Sequence, residues 1–214
     1  MEKEASYSMS KGIFEMASRP LRSRQEAILL LLYTIRMFEV DELIAENKTI
    51  KVVISINKMN RIFYVLEDKI FSMQFPFFVE MEHDKIARIY DTRTGLDIDS
   101  RLVSTLIGIF EKTNTGNSSF DSLFDEIMYC GDNLPNVGIE QIWEVVKFIS
   151  TYDLGYLRYD YDEKHKKGLL HPVNHLDICL DTAAAYKIGL KKSLNYEMFK
   201  DILDTTTNCF FLNV

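Results

Sequence analysis

The chain has 214 residues, of which 47% are hydrophobic and 27% are charged, and its formal net charge is -7. This length can bury a sizeable core as one large domain or as two small ones. The acidic balance argues against broad nucleic-acid binding, because phosphate binding needs a local excess of basic residues. The longest apolar run, Ala27–Tyr33, is far too short for a membrane span, and Met1–Gly12 lacks the apolar region of a signal peptide. We therefore predict a cytoplasmic protein with no membrane partner.

The three cysteines are widely spaced, at Cys130, Cys179 and Cys209, and no CxxC pair is present. Zinc ribbons and thioredoxin-like redox sites are therefore not expected, and free thiols in a reducing compartment are the simplest interpretation. The sequence also lacks a P-loop, a Rossmann fingerprint, a GxSxG elbow and the kinase motifs. Because none of these motifs is present, the sequence points to no particular cofactor, and the cofactor requirement is unknown.

Two helices are predicted near the N-terminus. The first is a weak helix over Ser6–Ala17. The second begins at a capping box formed by Ser23 and Glu26, in which the serine hydroxyl accepts a bond from a backbone amide and the glutamate reaches back. It is apolar nearly all round over Ala27–Leu32, so we expect it to lie buried at the centre of the fold. An exposed helix that binds a partner is the alternative.

A run of strands follows this helix. Four segments have the composition of an antiparallel meander: Ile50–Ile56, Arg61–Met73, Phe75–Glu82 and Lys85–Asp91. Tyr64–Phe71 could instead contain a helical turn. Pro76 favours an edge strand or a bulge, because proline cannot donate to the hydrogen-bond ladder.

Apolar residues recur at helical spacing through residues 102–110, 120–127 and 139–149, and a closing helix over Tyr196–Leu203 has Asn195 as its N-cap. We predict an α+β fold. An antiparallel sheet is built from residues 50–91 and 155–190, with the helices of 100–150 inserted between its two halves and packed on a face. A single domain over 1–214 is expected, and a subdivision near 113–119 is the alternative.

Three strands near the C-terminus carry most of the polar chemistry. Tyr156–Asp162, His175–Leu180 and Tyr186–Leu190 each alternate apolar and polar residues. A period of two places the polar residues of each strand on one face. If the three strands pair in one sheet, that face carries a shared set of polar side chains: Arg158, Asp160, His175, Asp177 and Lys187.

The histidine pair provides the candidate catalytic group. We predict that His171 and His175 converge with Arg158 and Asp160, because a loop of about nine residues can return the chain beside the strand it left. A catalytic or phosphate-binding role fits, since histidine titrates near neutral pH and arginine holds phosphate. A structural histidine pair with a structural Arg158–Asp160 ion pair is the alternative. No metal is predicted, because Pro172 disfavours the helical HExxH motif and a metal would need Asp160 or Asp177 as a further ligand.

Basic residues surround this group. Lys187, Lys191 and Lys192 are predicted to bind substrate, and the loop Lys164–Lys167 could guide a phosphate backbone. Nucleic acid is therefore an alternative partner, with neighbouring tyrosines available to stack on bases. A solvated turn is the simpler interpretation of this loop.

The sequence pattern LRYDYD…HPVNHLDI…YKIGL resembles an uncharacterised bacterial family whose shared core reads LRFDFD, a loop and HPxxHL. The resemblance covers residues 154–203. Five residues fall on the shared pattern: Arg158, Asp160, His171, Pro172 and His175. This chain departs from it in lacking a glycine soon after the second histidine and an Arg-Ile-Pro run later. Genes of the family occur in phage-defence or mobile-element neighbourhoods, so the resemblance implies a bacterial defence or toxin–antitoxin setting and supplies no reaction.

Two functional hypotheses follow, and they leave open whether the protein is an enzyme. The first is an accessory or interaction subunit of an anti-phage defence or toxin–antitoxin complex, with a protein partner encoded by a neighbouring gene. The apolar helix that carries Ala27–Leu32 and the acidic charge favour it. The second is a small nuclease-like or phosphotransfer enzyme that uses the His/Arg/Asp site.

Overall fold

The computed structural model describes residues 3–39, 49–56, 59–113, 120–131, 134, 136–178, 180 and 186–210. The strands are β1 (Lys3–Ser8), β2 (Lys51–Ile56), β3 (Arg61–Val65), β4 (Lys69–Gln74), β5 (Phe78–Glu82), β6 (Lys85–Tyr90), β7 (Leu157–Tyr161), β8 (Asn174–Ile178) and β9 (Tyr186–Gly189). The helices are α1 (Lys11–Ser18), α2 (Arg24–Phe38), α3 (Ser100–Thr113), α4 (Phe120–Gly131), α5 (Ile139–Thr151) and α6 (Tyr196–Leu203). In the described part of the chain, no helix has the length and apolar character needed to cross a membrane.

The predicted α+β class is confirmed. The chain groups into two compact units. The sheet unit comprises Met1–Ser6, Ile44–Phe75 and Leu154–Val214, and the helical unit comprises Tyr7–Leu43 and Pro76–Asp153. The predictions of a single domain over 1–214, and of a subdivision near 113–119 as its alternative, stay predictions; residues 114–119 lie outside the described residues.

The sheet unit is built on a seven-stranded sheet of order β1-β2-β3-β4-β7-β8-β9. From β2 to β9 every neighbouring pair is antiparallel. β4 and β7 are neighbours although 82 residues, Phe75–Tyr156, separate them in the chain. A hydrophobic core covers one face of this sheet, and α6 contributes its fully buried Phe199 to it. The core residues are Val53, Phe63, Val65, Ile70, Leu157, Tyr159, Leu176 and Phe199.

The helical unit is organised around α2, which packs against α1, α3 and α5. Ser23 accepts a hydrogen bond from the Glu26 amide, as the capping box predicts. All six residues of Ala27–Leu32 are buried. The expectation of a central buried helix is therefore confirmed, and the alternative of an exposed partner-binding helix is wrong because the apolar surface of α2 is already packed.

Three local predictions differ from the structure. β5 and β6 pair with each other in a separate two-stranded sheet, so the main sheet uses residues 51–74 rather than 50–91. The segment Arg61–Met73 is not one strand, because a tight turn closed by the Leu66 amide and the Lys69 carbonyl divides it into β3 and β4. The predicted leading helix over Ser6–Ala17 is replaced by β1 followed by the shorter α1.

Candidate functional site

The polar group predicted from strand alternation lies on one face of β7 and β8. These strands pair antiparallel, with Arg158 opposite Asp177 and Asp160 opposite His175. Because successive side chains alternate between faces, this register places all four on the face opposite the core packed by α6. The predicted convergence of Arg158, Asp160, His171 and His175 is confirmed, while the catalytic role assigned to them stays a prediction.

Arg158 is the centre of this group. Its Nε donates to Oδ2 of Asp160 at 2.8 Å, and its Nη2 donates to Oδ2 of Asp177. The three side chains are between 14% and 17% exposed, so the ion pairs form in a largely desolvated environment. Pairing a buried cation with two carboxylates offsets the cost of removing each charge from water. The predicted Arg158–Asp160 ion pair is therefore present and extends across both strands to Asp177.

The two histidines lie beside this ion network. His175 is only 2% exposed, its Nδ1 lies 3.0 Å from the carbonyl oxygen of Pro172, and its Nε2 lies 3.5 Å from Oδ2 of Asp160. A carbonyl can only accept, so Nδ1 carries a proton, and this contact turns Nε2 towards Asp160. The ring of His171 meets the ring of His175 edge to face, with 4.8 Å between centroids. The HPxxH spacing thus brings both rings together through a turn rather than along a helix.

Two residues of the group were missed by the sequence analysis. Lys69 on β4 lies opposite Asp160 on β7, and it is only 9% exposed. Tyr156, directly before β7, is 6% exposed and hydrogen-bonds with Arg158. The pairing of β4 with β7 joins distant parts of the chain, so only the spatial neighbourhood reveals Lys69. Tyr156 could have been found from its place two residues before Arg158 on the same alternating strand.

Burial and charge set the ionisation of these groups. Burial lowers the pKa of Lys69, and the nearby Asp160 carboxylate opposes this shift. Burial raises the pKa of Tyr156 to about 12. For Arg158, burial acts to lower the pKa, but the neighbouring Tyr156, Asp160 and Asp177 more than offset it and the pKa is raised. The guanidinium is therefore held permanently charged at the centre of the network.

The group also contains polar atoms that are buried without a hydrogen-bond partner among the described residues. These are Oδ1 of Asp177 and Nδ1 of His171. In addition, Asp160, His175 and Asp177 each offer a ligand atom, and these three atoms lie within 4.8 Å of one another. The carboxylates that a metal site would require in addition to histidine are therefore in place.

The chain between β7 and β8 forms an ordered hairpin. Asp162 begins it, with its amide donating to the Val173 carbonyl and its carboxylate accepting from the His165 amide. Burial acts to raise the pKa of Asp162, but the hydrogen bonds from the His165 amide and ring, with the nearby histidine charges, outweigh it and the pKa is lowered. Further out, the Lys167 amide donates to the His171 carbonyl and closes a tight inner turn. Gly168 enters this turn with φ +53, a conformation that glycine adopts without strain.

The tip of this hairpin exposes apolar side chains. Leu169 is 101% exposed and Leu170 is 79% exposed. Tyr161, at the end of β7, is 46% exposed. Three lysines and one glutamate in residues 163–170 give the segment an excess of two positive charges when His165 is neutral. The most exposed leucines in the described chain therefore sit on a basic segment of an acidic protein.

The three lysines that were predicted to bind substrate lie at the exposed surface on β9 and directly after it. Lys187 lies opposite Asp177 in the β8–β9 register and is exposed. Lys191 and Lys192 follow the end of β9 and are also exposed. Within the described residues, none of the three has an ion pair or hydrogen bond with the buried group. Their proposed role in substrate binding stays a prediction.

Comparison of the chain with models of protein families, with curated proteins and with solved structures gave no match.

Proposed function

We propose that the protein is an interaction subunit that docks an acidic protein partner through the tip of the β7–β8 hairpin. The observation that carries this proposal is the exposure of Leu169 and Leu170 on a basic, internally hydrogen-bonded turn. A buried leucine side chain is worth about 1.5–3 kcal/mol relative to an exposed one, so two leucines can anchor an interface.

The positive charge of the hairpin tip favours a negatively charged partner. Lys164, Lys166 and Lys167 precede the two leucines on the same hairpin and are exposed, and positive charge of this kind steers association with an acidic surface. A nucleic acid would match the charge but not the leucines, because single strands are bound by stacking on aromatic side chains. The aromatic side chain that this hairpin exposes for such stacking is Tyr161, which is 46% exposed. The combination therefore favours an acidic protein surface with an apolar pocket.

The buried group at the base of the hairpin supports a role in presenting this tip. Arg158 already engages both carboxylates, and His175 is almost fully buried against the Pro172 carbonyl. Such an arrangement suits the rigid support of a hairpin better than turnover of a substrate. A rigid binding element loses less conformational entropy on association than a mobile one.

The resemblance of this segment to a family found beside defence genes supplies the biological setting of the proposal. A bacterial anti-phage defence or toxin–antitoxin complex would provide the partner from a neighbouring gene. The buried α2 offers no free apolar face, so the hairpin tip replaces it as the proposed contact.

The experiment is co-expression of the chain with the proteins encoded by its gene neighbours, followed by size-exclusion chromatography. We expect a stable complex with one acidic neighbour. The double variant Leu169→Ser/Leu170→Ser should elute alone, with an unchanged melting temperature because both side chains are exposed. The matched control is Met128→Ser on α4, which is 47% exposed and should leave the complex intact.

A second arm tests the charge. Lys164→Glu/Lys166→Glu/Lys167→Glu should weaken the same complex and reduce its sensitivity to salt. If the double leucine variant binds its neighbour as tightly as the wild type, the tip is not the docking surface. If the wild type instead binds a single-stranded oligonucleotide and the lysine variant does not, the partner is nucleic acid and the proposal is wrong.

A further inference from the structure

We propose that Asp160, His175 and Asp177 form a binding site for a divalent transition-metal cation such as Zn²⁺ or Mn²⁺. The site lies at the base of the hairpin, and it does not depend on what the tip binds. One atom from each residue lies within 4.8 Å of the other two, which is close to the separation of ligands around a shared cation. Two of the three residues come from β8 and the third lies opposite His175 on β7.

The orientation of His175 is the first observation behind this inference. Its Nδ1 donates to the Pro172 carbonyl, so the ring is held with Nε2 turned towards Asp160 Oδ2, 3.5 Å away. Metal-ligating histidines are typically fixed by a backbone carbonyl or carboxylate at the other ring nitrogen. A histidine nitrogen and a carboxylate oxygen are both ordinary ligands of a divalent cation, and here they lie side by side.

The second observation is the unpartnered oxygen of Asp177. Its Oδ1 is buried and, within the described residues, has no hydrogen-bond donor, although Oδ2 of the same carboxylate is bonded to Arg158. Leaving a buried carboxylate oxygen unpaired costs free energy, so each such atom calls for a ligand or another donor. A cation bound by Oδ1 and Arg158 bound by Oδ2 would share the carboxylate without displacing one another.

His171 lies beside the three ligands, but it is not among the residues whose ligand atoms lie within 4.8 Å of one another. Its Nδ1 is also buried without a partner among the described residues, and its ring contacts that of His175. Zinc takes four ligands in a tetrahedral arrangement, so Asp160, His175 and Asp177 would leave one position for a further ligand. The mixed nitrogen and oxygen ligands of this group suit zinc or manganese, whereas magnesium prefers oxygen ligands alone. A cation bound by these residues would join β7 to β8, since Asp160 lies on β7 and the other two ligands lie on β8.

The test is metal binding by the full chain after treatment with EDTA and dialysis. Isothermal titration should show one Zn²⁺ per chain, with Mg²⁺ binding much more weakly. At a Zn²⁺ concentration 100 times the Kd, the melting temperature should rise by about 5–10 °C. Asp177→Asn and His175→Gln should each weaken Zn²⁺ binding at least about 10-fold. The control Glu163→Gln, on the exposed part of the same hairpin, should leave the affinity unchanged.

A spectroscopic readout covers the case in which a ligand variant does not fold. In the ¹⁵N-labelled wild type, Mn²⁺ should broaden amide resonances of 158–160 and 175–177 before all others. Absence of saturable Zn²⁺ binding, or broadening centred elsewhere, would overturn the proposal. Leu169→Ser/Leu170→Ser should bind Zn²⁺ like the wild type, so failure of the metal site and failure of the docking proposal can be told apart.

Discussion

Arg158 and Asp177 lie directly opposite one another on β7 and β8, and the Arg158 guanidinium bridges Asp177 to Asp160. The pair joins neighbouring strands on the face opposite the core that α6 covers. It also sits beneath the hairpin that projects Leu169 and Leu170.

Removal of the Arg158 guanidinium should strongly destabilise the protein. Arg158→Ala leaves two buried carboxylates unpaired, and we expect unfolding free energy to fall by about 3–5 kcal/mol in urea titrations. The triple variant Arg158→Met/Asp160→Asn/Asp177→Asn removes the charges together and should be less destabilised than the single change. If the triple variant loses as much unfolding free energy as Arg158→Ala, or more, the three charges are not coupled in the way their geometry requires.

The stability of the fold should depend on Tyr156 at alkaline pH. Burial raises the pKa of this hydroxyl from 10.0 to about 12, so the folded state holds the proton more tightly than the unfolded state. The stabilisation is complete below pH 10 and is lost as the pH rises towards 12, by up to about 2–3 kcal/mol. Urea titrations in EDTA should therefore show a steeper decline for the wild type than for Tyr156→Phe over this range. Parallel declines would contradict the assignment, since the other tyrosines contribute equally to both proteins.

Gly189 on β9 packs closely against Pro172, and a substitution at this glycine tests that contact. A Cβ at Gly189 would lie 2.9 Å from Cγ of Pro172, whose ring cannot rotate away. Gly189→Ala should therefore destabilise the protein by about 1–3 kcal/mol, measured by thermal unfolding. Gly108 in α3 is a matched control, because a Cβ there meets nothing within 4 Å. Gly108→Ala should stabilise the helix by about 0.5–1 kcal/mol.

The histidine pair should contribute to stability. The double change His171→Ala/His175→Ala removes the bond to the Pro172 carbonyl and the edge-to-face contact. We expect a loss of about 1–3 kcal/mol in unfolding free energy. The exposed His165 serves as control, and His165→Ala should change stability by less than about 0.5 kcal/mol. A double variant with wild-type stability but no function in a phage-challenge assay would instead support the catalytic hypothesis.

The polar face of β7 and β8 could be predicted from the sequence because strand alternation has a strict period of two. Leu157, Tyr159 and Leu176 point to the core, and this forces Arg158 and Asp177 onto the other face. Lys69 could not be assigned in this way. It begins its own strand with no alternation to mark it, and only the pairing of β4 with β7 across a long insertion brings it beside Asp160.

The exposed tip illustrates the same limit. Leu169 and Leu170 look like any short apolar pair in the sequence, and most leucines are buried. Their exposure follows from the inner turn that the Lys167 amide closes with the His171 carbonyl, since this turn directs the intervening residues outwards. The separate β5–β6 hairpin likewise depends on where the chain leaves the main sheet after Phe75, which composition does not specify.

The most direct test of the docking proposal is site-specific photo-crosslinking in the complex with co-expressed gene neighbours. A photoreactive amino acid replaces Leu169 in one sample and Met128 on α4 in the other. The proposal predicts that position 169 crosslinks to an acidic neighbour and that position 128 does not. A complex that forms and crosslinks from position 128, with none from position 169, would contradict the hairpin tip as the docking surface.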